Sequence, residues 1–259
     1  MTIALFLCVV LLSFLSEAIV GFGSTVLAVT LGAQLYPLDV LLPAFVPVNL
    51  LLTTYLVVRH RDAIDVRLLV RRILPFMALG MPLGMFVFQL RDLAILQILF
   101  ATFVVGIAAL ELWRVLRAAR AVAGSASAVA PQSPRPLSLV AAGGVLFTGG
   151  FIHGIYGSGG PMVVFFASRE ITDKRRFRST LSALWLVLNA VLVVSYAAQG
   201  AITRETAELS AWLLPVLFVG AWLGEHIHGR VKERPFRVAV FALLFLAGSV
   251  LLVRGLLKA

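Results

Sequence analysis

The feature that most constrains this chain is a series of apolar runs, each at or above the roughly 18 residues a helix needs to cross a hydrocarbon layer. Eight runs lie near 3–31, 40–58, 66–88, 94–117, 137–167, 179–198, 208–228 and 236–257. The stretches between them are mostly short and polar or basic, which leaves no room for a globular domain outside the membrane. With 61% of its 259 residues hydrophobic and 13% charged, the chain holds more apolar surface than a soluble core can bury. The expected fold is an all-α polytopic membrane protein with the lipid bilayer as its solvent. Met1–Val10 carries no basic residue and opens a run far longer than the apolar core of a secretory signal, so it is expected to be retained structure.

The formal charge of +10 raises nucleic acid as a partner. Almost all Lys and Arg, however, flank apolar runs, where they act as topology determinants, and basic faces with stacking aromatics are missing. No nucleic-acid partner is expected. Cys8 is the one cysteine, so neither a disulfide nor a cysteine metal site can form within the chain. Glu225, His226 and His228 sit at the edge of a run beside a basic loop without a further clustered ligand and read as interfacial. No metal site or cofactor is expected.

Self-similarity is the most specific signal. Leu74-Pro75 followed by Gly80 and Gly84 is matched by Leu214-Pro215 followed by Gly220 and Gly224, and Ile19-Val20-Gly21-Phe22-Gly23 lines up with Ile155-Tyr156-Gly157-Ser158-Gly159. The offset grows only from 136 to 140 residues. The chain therefore divides into an N-terminal transmembrane repeat (1–117), a linker rich in Ala, Ser, Gly and Pro (118–136) and a C-terminal transmembrane repeat (137–259). Arg114, Arg117, Arg120 and Arg135 surround the linker and predict that it is cytoplasmic.

The loops carry opposite charge bias in the two halves. Loop 59–72 holds Arg59, Arg61, Arg67, Arg71 and Arg72 against Arg204 alone in its counterpart. Loop 169–178 holds Arg169, Lys174, Arg175, Arg176 and Arg178 against no basic residue in 33–42, and 230–237 holds Arg230, Lys232, Arg234 and Arg237 against Arg91. Such antisymmetry is what two inverted four-segment repeats require. If all eight segments crossed fully, the basic linker and the basic loop 169–178 would fall on opposite faces. A first segment in each repeat that is broken or re-entrant at its glycine motif removes that conflict: Gly149 to Pro161 holds six glycines and a proline, and Glu17 to Thr25 is its partner. The expectation is six crossings, two hairpins and both chain ends outside; eight plain spans is the alternative.

Non-helical backbone inside a bilayer leaves amides unpaired unless protein, water or solute satisfies them. Pro161 after Gly159-Gly160 suits the first turn of a half-helix, whose free N–H groups and positive dipole end attract an oxyanion. Gly21, Gly23, Ser24 and Thr25 from one break, and Gly157, Ser158, Gly159 and Gly160 from the other, are thus candidate substrate-binding residues. The alternative is that these glycines only let helices approach closely. Glu17 and His153 occupy corresponding positions in apolar surroundings and are candidates for proton coupling. Asn49, Thr53, Trp185 and Asn189 lie in the second segment of each half, and the two asparagines are expected to line the same cavity. Ser158 between two glycines suggests an intramembrane serine protease, but Tyr156 stands where that motif needs glycine and no histidine lies in a later segment core. No catalytic residue is assigned.

These residues resemble the sulfite exporter TauE/SafE family over nearly the whole chain. Gly157-Ser158-Gly159-Gly160-Pro161 looks like the family's GxGG pattern, Ser179-Thr180 sits where its small hydroxyl residues follow, and Leu74-Pro75 with Gly80 and Gly84 looks like its third-segment pattern. Gly21-Phe22-Gly23-Ser24-Thr25 departs by placing serine where a third glycine is common. The resemblance implies a multi-pass protein of the cell (inner) membrane that moves sulfite, sulfonates, sulfoacetate or other small organic anions. Since the chain has no GxxxxGK[ST] loop, a secondary carrier, with ion or proton coupling, is the leading reading. A passive anion channel is the runner-up, followed by an intramembrane enzyme. The expected partners are a small anionic substrate and the bilayer, and a homodimer is compatible with both.

Overall fold

The structure is a computed structural model that describes residues 2–89, 93–124, 137–228 and 233–258. Linker residues 125–136, with Arg135, and the basic residues Arg91, Arg230 and Lys232 lie outside the described residues. Among the described residues every regular element is helical: α1 (Thr2–Val20), α2 (Ser24–Gly32), α3 (Leu38–Arg59), α4 (Val66–Gln89), α5 (Leu93–Gly124), α6 (Leu139–Tyr156), α7 (Gly160–Glu170), α8 (Lys174–Ala198), α9 (Arg204–His228) and α10 (Glu233–Lys258). Eight of them are long and apolar enough to cross a membrane, and α2 and α7, with 9 and 11 residues, are not. Large apolar side chains such as Leu79 and Phe86 on α4, Phe218 and Trp222 on α9, and Leu246 and Val253 on α10 face outward, as lipid-exposed helices require. The protein is a multi-pass membrane protein.

The runs 3–31 and 137–167 are each two helices joined at a glycine break. Helix α1 stops at Val20 and α2 starts at Ser24, with Gly21 at φ 88° and Gly23 at φ 98°. A side chain at either position would be strained in that left-handed region. Helix α6 stops at Tyr156 with Gly157 at φ 63°, and α7 follows from Gly160. The chain turns back after each break. Gly32 at the end of α2 lies against Phe6 near the start of α1, whose ring meets that of Tyr36 at 5.0 Å, and Met162 of α7 lies against Gly149 of α6.

Packing exchanges the halves. Helix α1 packs on α9 and α6 on α4, so each broken helix rests on the other half, while α3 pairs with α8 and α5 with α10. The repeated glycines make this possible: Gly84 abuts the Phe151 carbonyl group, and Gly224 abuts Ala18, where a Cβ would overlap its neighbour. The exchange is not symmetric, because α9 also packs on α3, with Ser210 Oγ donating to the Ala44 carbonyl at 2.8 Å.

The described basic loops converge on one face. Arg175 pairs with Asp62 at 2.6 Å, Arg72 with Glu170 at 3.3 Å, and the Arg114 guanidinium lies 5.7 Å from the centre of the Phe165 ring. Glu225, at the end of α9, takes both His60, 3.2 Å away, and Arg178. At the other end of the molecule Gln97 donates to the Ala33 carbonyl at 3.2 Å, joining the start of α5 to the end of α2.

Candidate functional site

Each break presents a helix start with donors to spare. In α2 the first intrahelical bond runs from Leu27 N–H to the Gly23 carbonyl at 3.0 Å, so the amides of Ser24, Thr25 and Val26 precede any helical acceptor. Gly23 caps that helix without a side chain. In α7 the first such bond runs from Val163 N–H to the Gly159 carbonyl at 3.4 Å, and Pro161 sits in the first turn, where it has no amide to lose. The starts of α2 and α7, one from each half, meet at one region, with Ser24, Thr25 and Gly160 in its wall.

That region is a small polar chamber. Glu17, Gly23, Ser24, Thr25, Asn49, His153, Gly157, Ser158, Gly160 and Asn189 line it together with Val26 and Trp185. Of the candidate residues Gly21 and Gly159 do not line it. Gly159 lies against the Gly149 carbonyl, where a Cβ would clash, and donates its N–H to His153 Nδ1 at 3.4 Å. Gly21 lies against the Arg178 backbone. Close approach therefore explains these two glycines, whereas Gly160 has only Phe22, 3.8 Å from a Cβ position, as its neighbour. The free space is near that of one water molecule.

One hydrogen-bond network ties the chamber together. Glu17 Oε2 accepts from Ser24 Oγ and, at 2.7 Å, from Asn49 Nδ2, which also lies 3.0 Å from Ser24 Oγ. Asn189 Nδ2 donates to Asn49 Oδ1 at 2.7 Å and so links the halves. Trp185 Nε1 donates to the Gly21 carbonyl at 2.9 Å while its ring stacks on His153, 5.6 Å between centroids. Thr53 turns away and bonds the Leu50 carbonyl of its own helix at 3.0 Å. Glu17 Oε1, His153 Nε2, Ser158 Oγ and Asn189 Oδ1 are buried without a protein partner. Buried polar atoms are rarely left so, and groups of this kind facing one chamber suit a polar ligand.

Among the described residues no lysine or arginine lines the chamber. An anion here would be held by amides, hydroxyls and helix dipoles, with Glu17 as the one acid against it. By sequence pattern Arg178 is one of the charges of its loop, yet it is 5% exposed and lies next to the first break. No periodicity or spacing signals that position, since the contact is made across 157 residues of sequence between Gly21 and Arg178. Glu225, read as interfacial, is the partner that neutralises it.

The sequence profile of a protein family described as Sulfite exporter TauE/SafE matches residues 5–251. No curated protein and no solved structure matches the chain.

Proposed function

Because this chain belongs to the sulfite exporter TauE/SafE family, a family of membrane transporters, we propose that it is a secondary carrier of a small oxyanion bound between the two helix breaks. The observation that carries this reading is the convergence of the α2 and α7 starts on one chamber containing the unpartnered Ser158 hydroxyl. Tetrahedral or trigonal oxyanions such as sulfite, sulfonates and sulfoacetate match a cluster of N–H and O–H donors without a full cation. A chamber near the size of one water supports a carrier that must rearrange to load its substrate over a standing channel.

The topology we infer is six crossings plus two re-entrant hairpins, arranged as inverted repeats in the cell (inner) membrane. Support comes from the basic loops that share one face and from the exchange-related helix packing. Glu17 is the proposed proton-coupling residue. Ionised, it would repel a bound oxyanion; protonated, it would not, so proton and anion binding would each favour the other by linkage. His153, stacked on Trp185 and unpartnered at Nε2, is its counterpart from the second half.

The test is flux of sulfite, sulfoacetate and an alkyl sulfonate into liposomes holding the purified protein, with saturation and dependence on a proton gradient as the readouts. Ser158→Ala removes a hydroxyl that no protein atom uses, so the fold should survive while oxyanion affinity falls several-fold. Unchanged affinity for every anion in the panel would remove Ser158 from the site, and linear, non-saturating flux would favour a channel.

A further inference from the structure

Among the described residues Arg178 is the one lysine or arginine that is buried, and its surroundings give it more to do than hold the fold. It stands in the second turn of α8, and its backbone lies against Gly21 at the first helix break. Seven residues on, about two turns and 10 Å along the same face of α8, Trp185 donates to the Gly21 carbonyl and stacks on His153 in the chamber wall. Arg178 therefore sits between the basic face and the chamber. One guanidinium nitrogen, Nη2, donates to Glu225 Oε1, while Nε is buried without a protein partner.

The counterpart of Arg178 in the first repeat is Leu42 at the 136-residue offset of the loops and Leu38 at the 140-residue offset of the helices that follow, and both are buried. The repeat's packing can thus be built with an apolar side chain at that place. A buried ion pair is weak evidence of stability, because desolvating both groups offsets most of their attraction. Among the described residues the other acids of this face have partners of their own: Asp62 has Arg175, Glu170 has Arg72, Glu111 has Arg114, Asp173 accepts the Arg176 amide at 2.7 Å, and Asp65 accepts the Leu68 amide at 3.0 Å and lies 3.9 Å from Arg176. Glu225 in turn keeps His60, which contacts both its oxygens at 3.2 Å, if Arg178 lets go.

We propose that Arg178 is a second anion site, the entry site on the basic face, and that the Glu225 carboxylate occupies it as an internal stand-in for the substrate. An incoming sulfonate, sulfite or carboxylate takes the guanidinium fork, which matches two oxygens of such groups, and uses the idle Nε; Glu225 withdraws to His60. The anion is then one helix-face step from the chamber. The inference rests on the carrier reading for its substrate, but its test does not require flux.

The experiment places a single cysteine at the first break, Phe22→Cys in a Cys8→Ala background, and measures its labelling from the basic face. Two thiol reagents of similar size are used, one bearing a sulfonate and one neutral. Glu225→Gln keeps the shape of the side chain but frees the fork, and it should speed labelling by the sulfonate reagent on the order of tenfold while leaving the neutral reagent unchanged. Adding Arg178→Gln should remove that gain. If Arg178→Gln does not fold, Arg178→Lys replaces it, and loss of the fork should still cut the gain several-fold. Equal acceleration of both reagents means that the pair is only a lock on the fold, and an unchanged sulfonate rate means that Arg178 does not receive anions; either result overturns the proposal. If the labelling pattern holds while the parent protein moves none of the anion panel, the entry site stands and the carrier assignment falls.

Discussion

Asn189 donates its side-chain amide to the Asn49 carbonyl oxygen at 2.7 Å, and the two residues are equivalents, 140 positions apart, in the two halves of the chain. The bond closes a path from Ser24 and Glu17 in the first hairpin to the helix that carries Trp185 in the second half. Neither half has a complete chamber alone. A pair of this kind makes the relative placement of the halves part of the proposed binding site, which is what alternating access would act on.

Asn189→Ala strands Asn49 Oδ1 in a buried setting. The loss should be about 1–2 kcal/mol, read as a lower thermal midpoint in detergent, together with a drop in anion affinity. If the midpoint and affinity both stay at the parent values, the bond does not join the halves in any energetic sense.

Glu17→Gln keeps the shape that Ser24 and Asn49 hold but cannot exchange a proton. In the parent, anion binding should strengthen as pH falls, because a protonated carboxyl no longer repels the ligand. The variant should bind with that pH dependence flattened and should fail to accumulate substrate against a gradient. Accumulation equal to the parent at every pH would move the coupling role to His153 or remove it.

The proposed six-crossing topology predicts which face each loop occupies. In a Cys8→Ala background, single cysteines at Val66 and Asp173 should both be shielded from an impermeant thiol reagent applied outside, while one at Arg204 should be labelled. Labelling of position 173 with 66 protected would restore eight full spans.

Two helix glycines should respond oppositely to the same change. A Cβ on Gly84 would overlap the Phe151 carbonyl group, whereas Gly106 has nothing within 4 Å. Gly84→Ala should cost about 1–3 kcal/mol or prevent folding, and Gly106→Ala should be neutral or slightly stabilising through helix propensity. Thermal midpoints of the two purified variants decide it.

The sequence by itself determined the helices, their apolar extent and the two breaks. Hydrophobic run length answers to bilayer thickness, and glycine clusters inside such runs answer to backbone strain; both are local effects written in neighbouring residues. It also made Glu17, Ser24, Asn49, Ser158 and Asn189 candidates, since polar groups in apolar runs are few. What only the tertiary structure decided is which of these share a space and why each glycine is there. Gly159 and Gly21 looked like ligand-cradling positions in the repeat, but the first is pressed against the Gly149 carbonyl and the second against Arg178. Arg178 itself read as one more loop charge until α8 brought it to the first break and α9 supplied Glu225. Contacts of that kind depend on helices that meet at a distance in sequence, and side-chain periodicity carries no record of which distant backbone will pack against a given turn.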